Sequence, residues 1–328
     1  MTIAPTLQRY MSDQGISYDL IPHEPAMTSL GTAHAGHVPG DRMAKGIMLS
    51  GTFTPAAAAT SLTRAPHMQR ASTPVTVRFS NFTGLPAIAD NDPNADPRGI
   101  AVRFHLGEHQ HTDIIGHSAD GFPTHTADEF LEFLRAIAAS DMSKPSDPAH
   151  PKPIEKFLAE HPDALAFEQM PKSAPSSFAR ATFFGVSALR FTNQAGASRF
   201  GRYRLVPAAG NDPLDAATLA KKGPTYLFDE LKERIAKGPI EFRLMVQLAN
   251  DGDVVDNATI HWPADRTVME LGKLVLTTPV ANDAAEQQHI IFDPIPRVDG
   301  IEPSGDPLLE ARAAVYLISG RRRRAAET

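Results

Sequence analysis

The 328-residue chain contains no cysteine. This absence excludes disulfide bonds, thiolate zinc sites, iron–sulfur clusters and cysteine nucleophiles. A metal ion held by this sequence must therefore be bound by histidine, carboxylate, tyrosine or methionine side chains.

Long apolar runs and a basic excess are also missing. No run approaches the ~18 apolar residues of a membrane-spanning helix, and residues 1–11 lack a basic segment followed by a small-residue cleavage site. The net charge is −6, whereas proteins that bind nucleic-acid backbones usually carry a basic excess. We therefore expect a cytoplasmic protein with neither a membrane nor a nucleic acid as its partner.

Proline is abundant, with 28 residues, which argues against a helical bundle. The predicted strands lie mostly in consecutive runs, which favours an α+β fold with antiparallel pairing. These strands cover residues 16–21, 44–54, 75–80, 99–106, 112–116, 181–192, 198–207, 240–249 and 268–277. Helices are predicted at residues 5–14, 28–36, 127–138, 153–160, 163–169, 226–236 and 307–318, the third with Thr126 and Glu129 in a capping box.

The most informative motif lies near the C-terminus, where Gly300-Ile-Glu-Pro-Ser-Gly-Asp-Pro307 precedes a predicted helix carrying Arg312 and Tyr316. Residues four apart share one helix face. A tyrosine binds ferric iron as phenolate, and a neighbouring guanidinium favours that anion, so the pair is one way to build an axial haem ligand. The spacing alone favours the alternative, an ordinary arginine and tyrosine on a terminal helix.

Three blocks in this order resemble haem catalases. The first contains residues 73–80 and 96–104, the second residues 112–123, and the third residues 300–316. The resemblance is nearest to the compact catalase-related peroxidases and covers about residues 50–323. It implies a catalase-like antiparallel β-barrel with surrounding helices, haem b bound inside the barrel through Tyr316, and a homodimer. It also implies reduction of hydrogen peroxide or organic hydroperoxides with a small organic reductant.

The same resemblance implies further cofactor-binding residues. Arg78 would contact a haem propionate, since a guanidinium fork suits a carboxylate; the alternative is an outward-facing strand cation. Arg321 and Arg323 align with basic residues beyond the tyrosine and would contact a second propionate or the phenolate, unless they form a solvated tail. Phe79, Phe104 and Phe122 are candidates to line the pocket, and Phe122 is equally compatible with a core position.

The expected distal side departs from the family pattern. Catalases carry a catalytic His-Ala-Lys-Gly, whereas this chain has Met43-Ala-Lys-Gly46. Methionine cannot transfer the proton expected of that histidine. The distal asparagine falls on Ser118, with Asp120 as the alternative. The histidines nearby in sequence are more often surface or loop residues than replacements; they are His34, His37, His117 and His125.

Residues 1–49 resemble the start of YbaK/ProX-type aminoacyl-tRNA deacylases, with Lys45 on that family's functional lysine. We therefore predict an N-terminal segment, residues 1–49, followed by a haem-binding barrel, residues 50–328. The alternative is a common helix–strand–helix start. Three functions follow: a peroxidase impaired by Met43, a non-enzymatic haem-binding protein, and a deacylase working through Lys45.

Overall fold

The computed structural model describes residues 45–81, 88–141 and 145–325. The strands within these ranges are β1 (Gly46–Pro55), β2 (Thr73–Asn81), β3 (Arg98–Gly107), β4 (Gln110–His117), β5 (Phe183–Phe184), β6 (Leu189–Thr192), β7 (Ser198–Pro207), β8 (Ile240–Leu248), β9 (Val268–Pro279) and β10 (Ile301–Pro303). The helices are α1 (Ala59–Leu62), α2 (Pro66–Gln69), α3 (Ala127–Ala138), α4 (Pro153–Glu160), α5 (Pro162–Gln169), α6 (Ala216–Leu219), α7 (Tyr226–Lys237), α8 (Asp283–His289) and α9 (Pro307–Ala325).

The strands form one antiparallel sheet that closes into a barrel. Its order is β7-β5-β4-β3-β2-β1-β9-β8, and β8 pairs back onto β7. The short strands β6 and β10 extend the sheet beyond β7. The expected α+β fold, an antiparallel β-barrel with surrounding helices, is therefore confirmed.

Side-chain alternation gives the barrel wall two buried faces. On β2, Val75, Val77 and Phe79 belong to the apolar core, so the intervening Arg78 points out of the barrel. The interior is filled by fully buried phenylalanines, which are Phe53, Phe79, Phe104, Phe178, Phe183, Phe191 and Phe242. Phe79 and Phe104 are therefore barrel-core residues, because neighbouring rings already occupy the space around them: Phe178 is stacked on Phe79, and Phe53 meets Phe104 edge to face.

A second apolar layer lies beside the barrel, where α3 packs against α4 and α9. The start of α3 confirms the predicted capping box: Thr126 Oγ1 accepts a hydrogen bond from the Glu129 amide at 3.2 Å, and the Glu129 carboxylate accepts one from the Thr126 amide at 3.2 Å. These reciprocal bonds satisfy amides that a helix start leaves without partners. Phe122 belongs to this layer, 4.9 Å from the ring of Phe130, as the core interpretation expects.

Several predicted boundaries need correction. The strand predicted at residues 181–192 divides into β5 and β6. The helix predicted to end at residue 318 continues to Ala325, so the basic segment is helical. The helix continues through Gly320. A side chain at this position would overlap Ile291, so the close approach of Ile291 requires glycine here. Within the described ranges, the helices are too short or too polar to cross a membrane. The elements predicted before residue 44 lie outside these ranges.

Candidate functional site

Tyr316 and Arg312 lie together on α9, as their spacing predicts. Asp306 begins the helix, with its carboxylate accepting a hydrogen bond from the Leu308 amide at 2.9 Å. Tyr316 is 3% exposed and Arg312 is 8% exposed. The Nη2 of Arg312 donates to the Tyr316 hydroxyl at 3.4 Å. The pair therefore forms a buried phenol with a cation beside its oxygen.

The guanidinium alone does not ionise this phenol. Burial raises the pKa of Tyr316 above its usual value, and the nearby charges of Arg312 and Arg78 only reduce that increase. The expectation that Arg312 by itself keeps the oxygen anionic is therefore incomplete. A cation at the oxygen would supply the missing stabilisation, because a bound metal ion reverses the effect of burial on a ligand's pKa.

Arg78 lies on the outer face of β2, beneath α8 and within reach of the Tyr316 charge. Its Nε donates to Gln287 Oε1 at 2.8 Å. Burial lowers the pKa of Arg78 to about 10, although the negative charge of Asp283 opposes the shift. Arg78 thus points out of the barrel, yet it is not a solvated cation.

Arg323 brings a second guanidinium from the end of α9. Its Nε donates to the Gln288 carbonyl at 3.1 Å, and its Nη2 donates to the Ile290 carbonyl. Burial, together with the charge of Arg78, lowers the pKa of Arg323 to about 9. Arg321 is exposed and stays outside the group. We refer to Arg78, Arg312, Tyr316 and Arg323 as the arginine–tyrosine cluster.

The location of the cluster corrects one expectation. Tyr316 was predicted to bind a porphyrin inside the barrel, but the barrel interior is filled and α9 packs against α8 and α3. The cluster lies on the outside of the barrel wall.

The composition of the cluster fits a ligand that contains a ferric ion and two carboxylate groups. Buried guanidiniums are costly unless anions compensate them. In the part of the chain that the structure describes, the Arg312 Nε has no hydrogen-bond partner. The same described residues contain no metal-binding group of three or more His, Asp or Glu side chains. This region thus offers a phenol oxygen that can bind iron and guanidiniums that can bind carboxylates.

The predicted distal residues are more dispersed. Ser118 Oγ accepts a hydrogen bond from the Arg98 amide at 2.8 Å, which leaves its hydroxyl proton available for donation. Asp120 pairs with Arg204 at 3.3 Å, and its side chain is 40% exposed. Met43, His34 and His37 lie outside the described residues.

The two described histidines of this region differ. His117 is buried, and its Nδ1 accepts a hydrogen bond from the Ala119 amide at 3.3 Å. Burial and the Arg312 charge lower the pKa of His117 to about 3, so the ring is neutral. The Nε2 of His125 is 3.2 Å from the Asp256 carbonyl, on the exposed side of the loop.

Lys45 lies immediately before β1 and contacts residues at the start of α7. Its Nζ lies 2.8 Å from Asp90 Oδ1 and 3.0 Å from the Pro224 carbonyl, and 4.5 Å from the ring centroid of Phe228. Asp90 is fully buried and also accepts a hydrogen bond from the Leu227 amide at 3.0 Å. The ammonium is thus engaged in contacts that join β1 to α7.

The sequence analysis missed α8, which bonds to two members of the cluster. Its residues show no apolar periodicity, and it follows Asn282, whose φ is 53°. The available signal was the four-residue spacing of Asp283 and Gln287, whose side chains are hydrogen bonded at 2.9 Å.

Sequence comparison gives relatives along most of the chain. The family model for catalase matches residues 36–327. The catalase-related peroxidase of Mycolicibacterium paratuberculosis is 33% identical over 289 residues, which covers 87% of this chain and 89% of that protein. The catalase-related peroxidase of Synechococcus elongatus is 31% identical over 275 residues, covering 84% and 80%. Catalase-2 of Bacillus subtilis is 29% identical over 291 residues, which is 83% of this chain but only 42% of that enzyme.

Solved structures share the fold. A fungal catalase superposes with a TM-score of 0.71 and 22% identity, covering 98% of this chain and 64% of that one. A bacterial catalase gives a TM-score of 0.72 with 20% identity, covering 98% and 62%. This chain thus spans less than two thirds of the length of those catalases.

Proposed function

Because the chain belongs to the catalase family, we propose that it is a haem-dependent peroxidase of the catalase-related class. It would reduce hydrogen peroxide or organic hydroperoxides with electrons from a small organic donor. The observation that carries this proposal is the buried Tyr316 beside Arg312, with Arg78 and Arg323 nearby.

The cofactor would be haem b. The Tyr316 oxygen would bind the iron, and Arg78 and Arg323 would bind the propionates, which match guanidiniums in charge and shape. When bound, haem supplies the iron chemistry that cleaves the peroxide O–O bond and accepts electrons from the donor.

The protein side chains have separate tasks around this cofactor. Tyr316 would hold the iron as phenolate, and Arg312, whose Nη2 lies 3.4 Å from that oxygen, would donate to the anion. The same hydrogen bond would draw charge from the oxygen and so limit its donation to iron. Burial of the cluster excludes water, which strengthens each of these charge interactions.

The distal side is expected to limit the rate. Met43 occupies the position of the distal histidine in the resembling motif, and its thioether cannot carry a proton. Loss of a general acid–base typically costs about 10²–10⁴-fold in rate. Ser118 keeps a hydroxyl proton that is suited to hydrogen bonding with a peroxide, whereas Asp120 pairs with Arg204 at 3.3 Å.

The second candidate function is non-enzymatic haem binding, which Met43 favours. A deacylase working through Lys45 is less well supported, because the Lys45 ammonium is engaged by the buried Asp90 at 2.8 Å. We also propose that residues 1–49 form a segment separate from residues 50–328, that the protein is a cytoplasmic homodimer, and that it has no nucleic-acid or membrane partner.

Reconstitution with haem tests the proposal. The purified protein is expected to show a haem absorption band with one haem per chain, and to oxidise an organic donor when peroxide is added. Tyr316→Phe should abolish iron ligation, whereas Tyr226→Phe, which only removes a bond to the Pro175 carbonyl, should leave it intact. Haem binding without turnover would favour the second candidate, and no specific haem binding would refute both.

A further inference from the structure

We propose that Gln287 is a positioning residue that orients Arg78 toward an anionic group of the cofactor while leaving its charge intact. The inference rests on the proposed function and adds a residue to it. Gln287 is buried on α8, at the outer face of the barrel.

Both polar atoms of the Gln287 amide are used. Its Oε1 accepts from Arg78 Nε at 2.8 Å. Its Nε2 donates to the Gly46 carbonyl at 3.2 Å and to Asp283 Oδ1 at 2.9 Å. Because the donor side is fixed by two acceptors, the oxygen must face the arginine.

The bond to Nε fixes the plane of the guanidinium, because this atom lies at the base of the planar fork. Gly46 leaves room for this orientation, since a Cβ at this position would overlap the Arg78 guanidinium. The Gln287 amide thus orients Arg78 over a backbone position that only a glycine can occupy.

The neutrality of the amide is as important as its geometry. A carboxylate at position 287 would accept the same hydrogen bond but neutralise Arg78 and compete with a carboxylate of the ligand. An amide makes the same contact without itself neutralising the cation. Asp283, whose negative charge acts on Arg78, accepts bonds from Gln287 and from the Met48 amide at 3.1 Å.

The same helix also holds the second guanidinium. The carbonyl of Gln288 accepts from Arg323 Nε at 3.1 Å, immediately after Gln287. Helix α8 thus sets the relative positions of a β2 cation and an α9 cation. The α8 groups that make these two bonds, an amide and a carbonyl, are themselves uncharged.

The test uses the full-length apoprotein and titrates it with haem, measuring the Kd by absorbance and the dissociation rate by transfer to apomyoglobin. Gln287→Glu is expected to weaken haem binding by about tenfold or more, and Gln287→Met by a smaller factor of about threefold to tenfold. The matched control is Gln247→Met, another buried glutamine that accepts from an arginine, Arg204, and donates to a carbonyl, that of Pro263. Its haem affinity should equal that of the unmodified protein.

A double-mutant cycle separates positioning from packing. In an Arg78→Met background, Gln287→Met should change the haem Kd by less than about twofold, because its effect passes through the arginine. Equal effects in both backgrounds, or a Gln287→Glu variant that binds haem as tightly as the unmodified protein, would overturn the inference and leave the proposed function standing. If the unmodified protein binds no haem, both fail.

Discussion

Replacing Arg312 by methionine is expected to weaken haem binding while the fold survives. The Arg312 Nη2 lies 3.4 Å from the Tyr316 oxygen, and both side chains are buried. Methionine fills a similar volume but donates no hydrogen bond to the oxygen. The phenolate that must form on metal binding would then lose its neighbouring cation.

The size of the effect follows from that distance. A hydrogen bond to a charged group contributes about 1.5–3 kcal/mol, and 3.4 Å is longer than optimal, so about 1.5 kcal/mol is the reasonable choice. This energy corresponds to about a tenfold increase in the haem Kd.

The pH dependence should change as well. Because burial raises the pKa of Tyr316 and iron binding releases its proton, haem affinity rises with pH below that pKa. Removing Arg312 moves the rise to higher pH.

The assay is haem titration followed by absorbance at several pH values. The control is Arg190→Met, which removes an exposed pair with Glu302 at 2.5 Å and should leave the affinity unchanged. An Arg312→Met protein that binds haem with the original Kd and pH profile would show that the guanidinium does not act on the Tyr316 oxygen.

Three further outcomes are expected. Met43→His should raise peroxidase turnover by up to about 10²–10⁴-fold at unchanged haem content; unchanged turnover would show that another group limits the reaction. Burial lowers the pKa of the His67 ring to about 3. As pH falls below about 6.5, the unfolded chain therefore takes up a proton at this position before the folded protein does. The free energy of unfolding should then fall by up to about 1.36 kcal/mol per pH unit. His67→Leu should reduce this slope in urea unfolding by the contribution of one proton, while the equally buried His117 keeps its own contribution; an unchanged slope would contradict the assignment. Lys45→Met should cost about 1.5–3 kcal/mol in unfolding free energy, because it removes the cationic partner of the buried Asp90 and leaves that carboxylate only its neutral donors, Asn81 and the Leu227 amide; a loss below about 1 kcal/mol would mean that the pair is not structural.

The elements that sequence patterns predicted well are those whose signals are local. Helix α3 appears at its predicted bounds because its cap and apolar face both lie within a dozen residues. The four-residue spacing of Arg312 and Tyr316 likewise predicts their contact. Helix α8 lacks both kinds of signal, since its role depends on Arg78 and Arg323, which are distant in the chain.

The side of the barrel on which the cluster lies was not predictable from the strands alone. Alternation in β2 separates Arg78 from Val77 and Phe79, but it does not say which face the later helices cover. The extension of α9 past Gly320 has a similar cause. A glycine normally weakens a helix, and only the close approach of Ile291 explains its presence there.

The arginine–tyrosine cluster joins the early barrel wall to the last helix. The charge of Arg78 acts on Arg323, so a ligand that carries two carboxylates would offset the repulsion between these two cations. Bound haem should therefore link β2 to α9. The melting temperature should rise with ligand concentration, and amide hydrogen exchange should slow in α9 more than in the barrel strands.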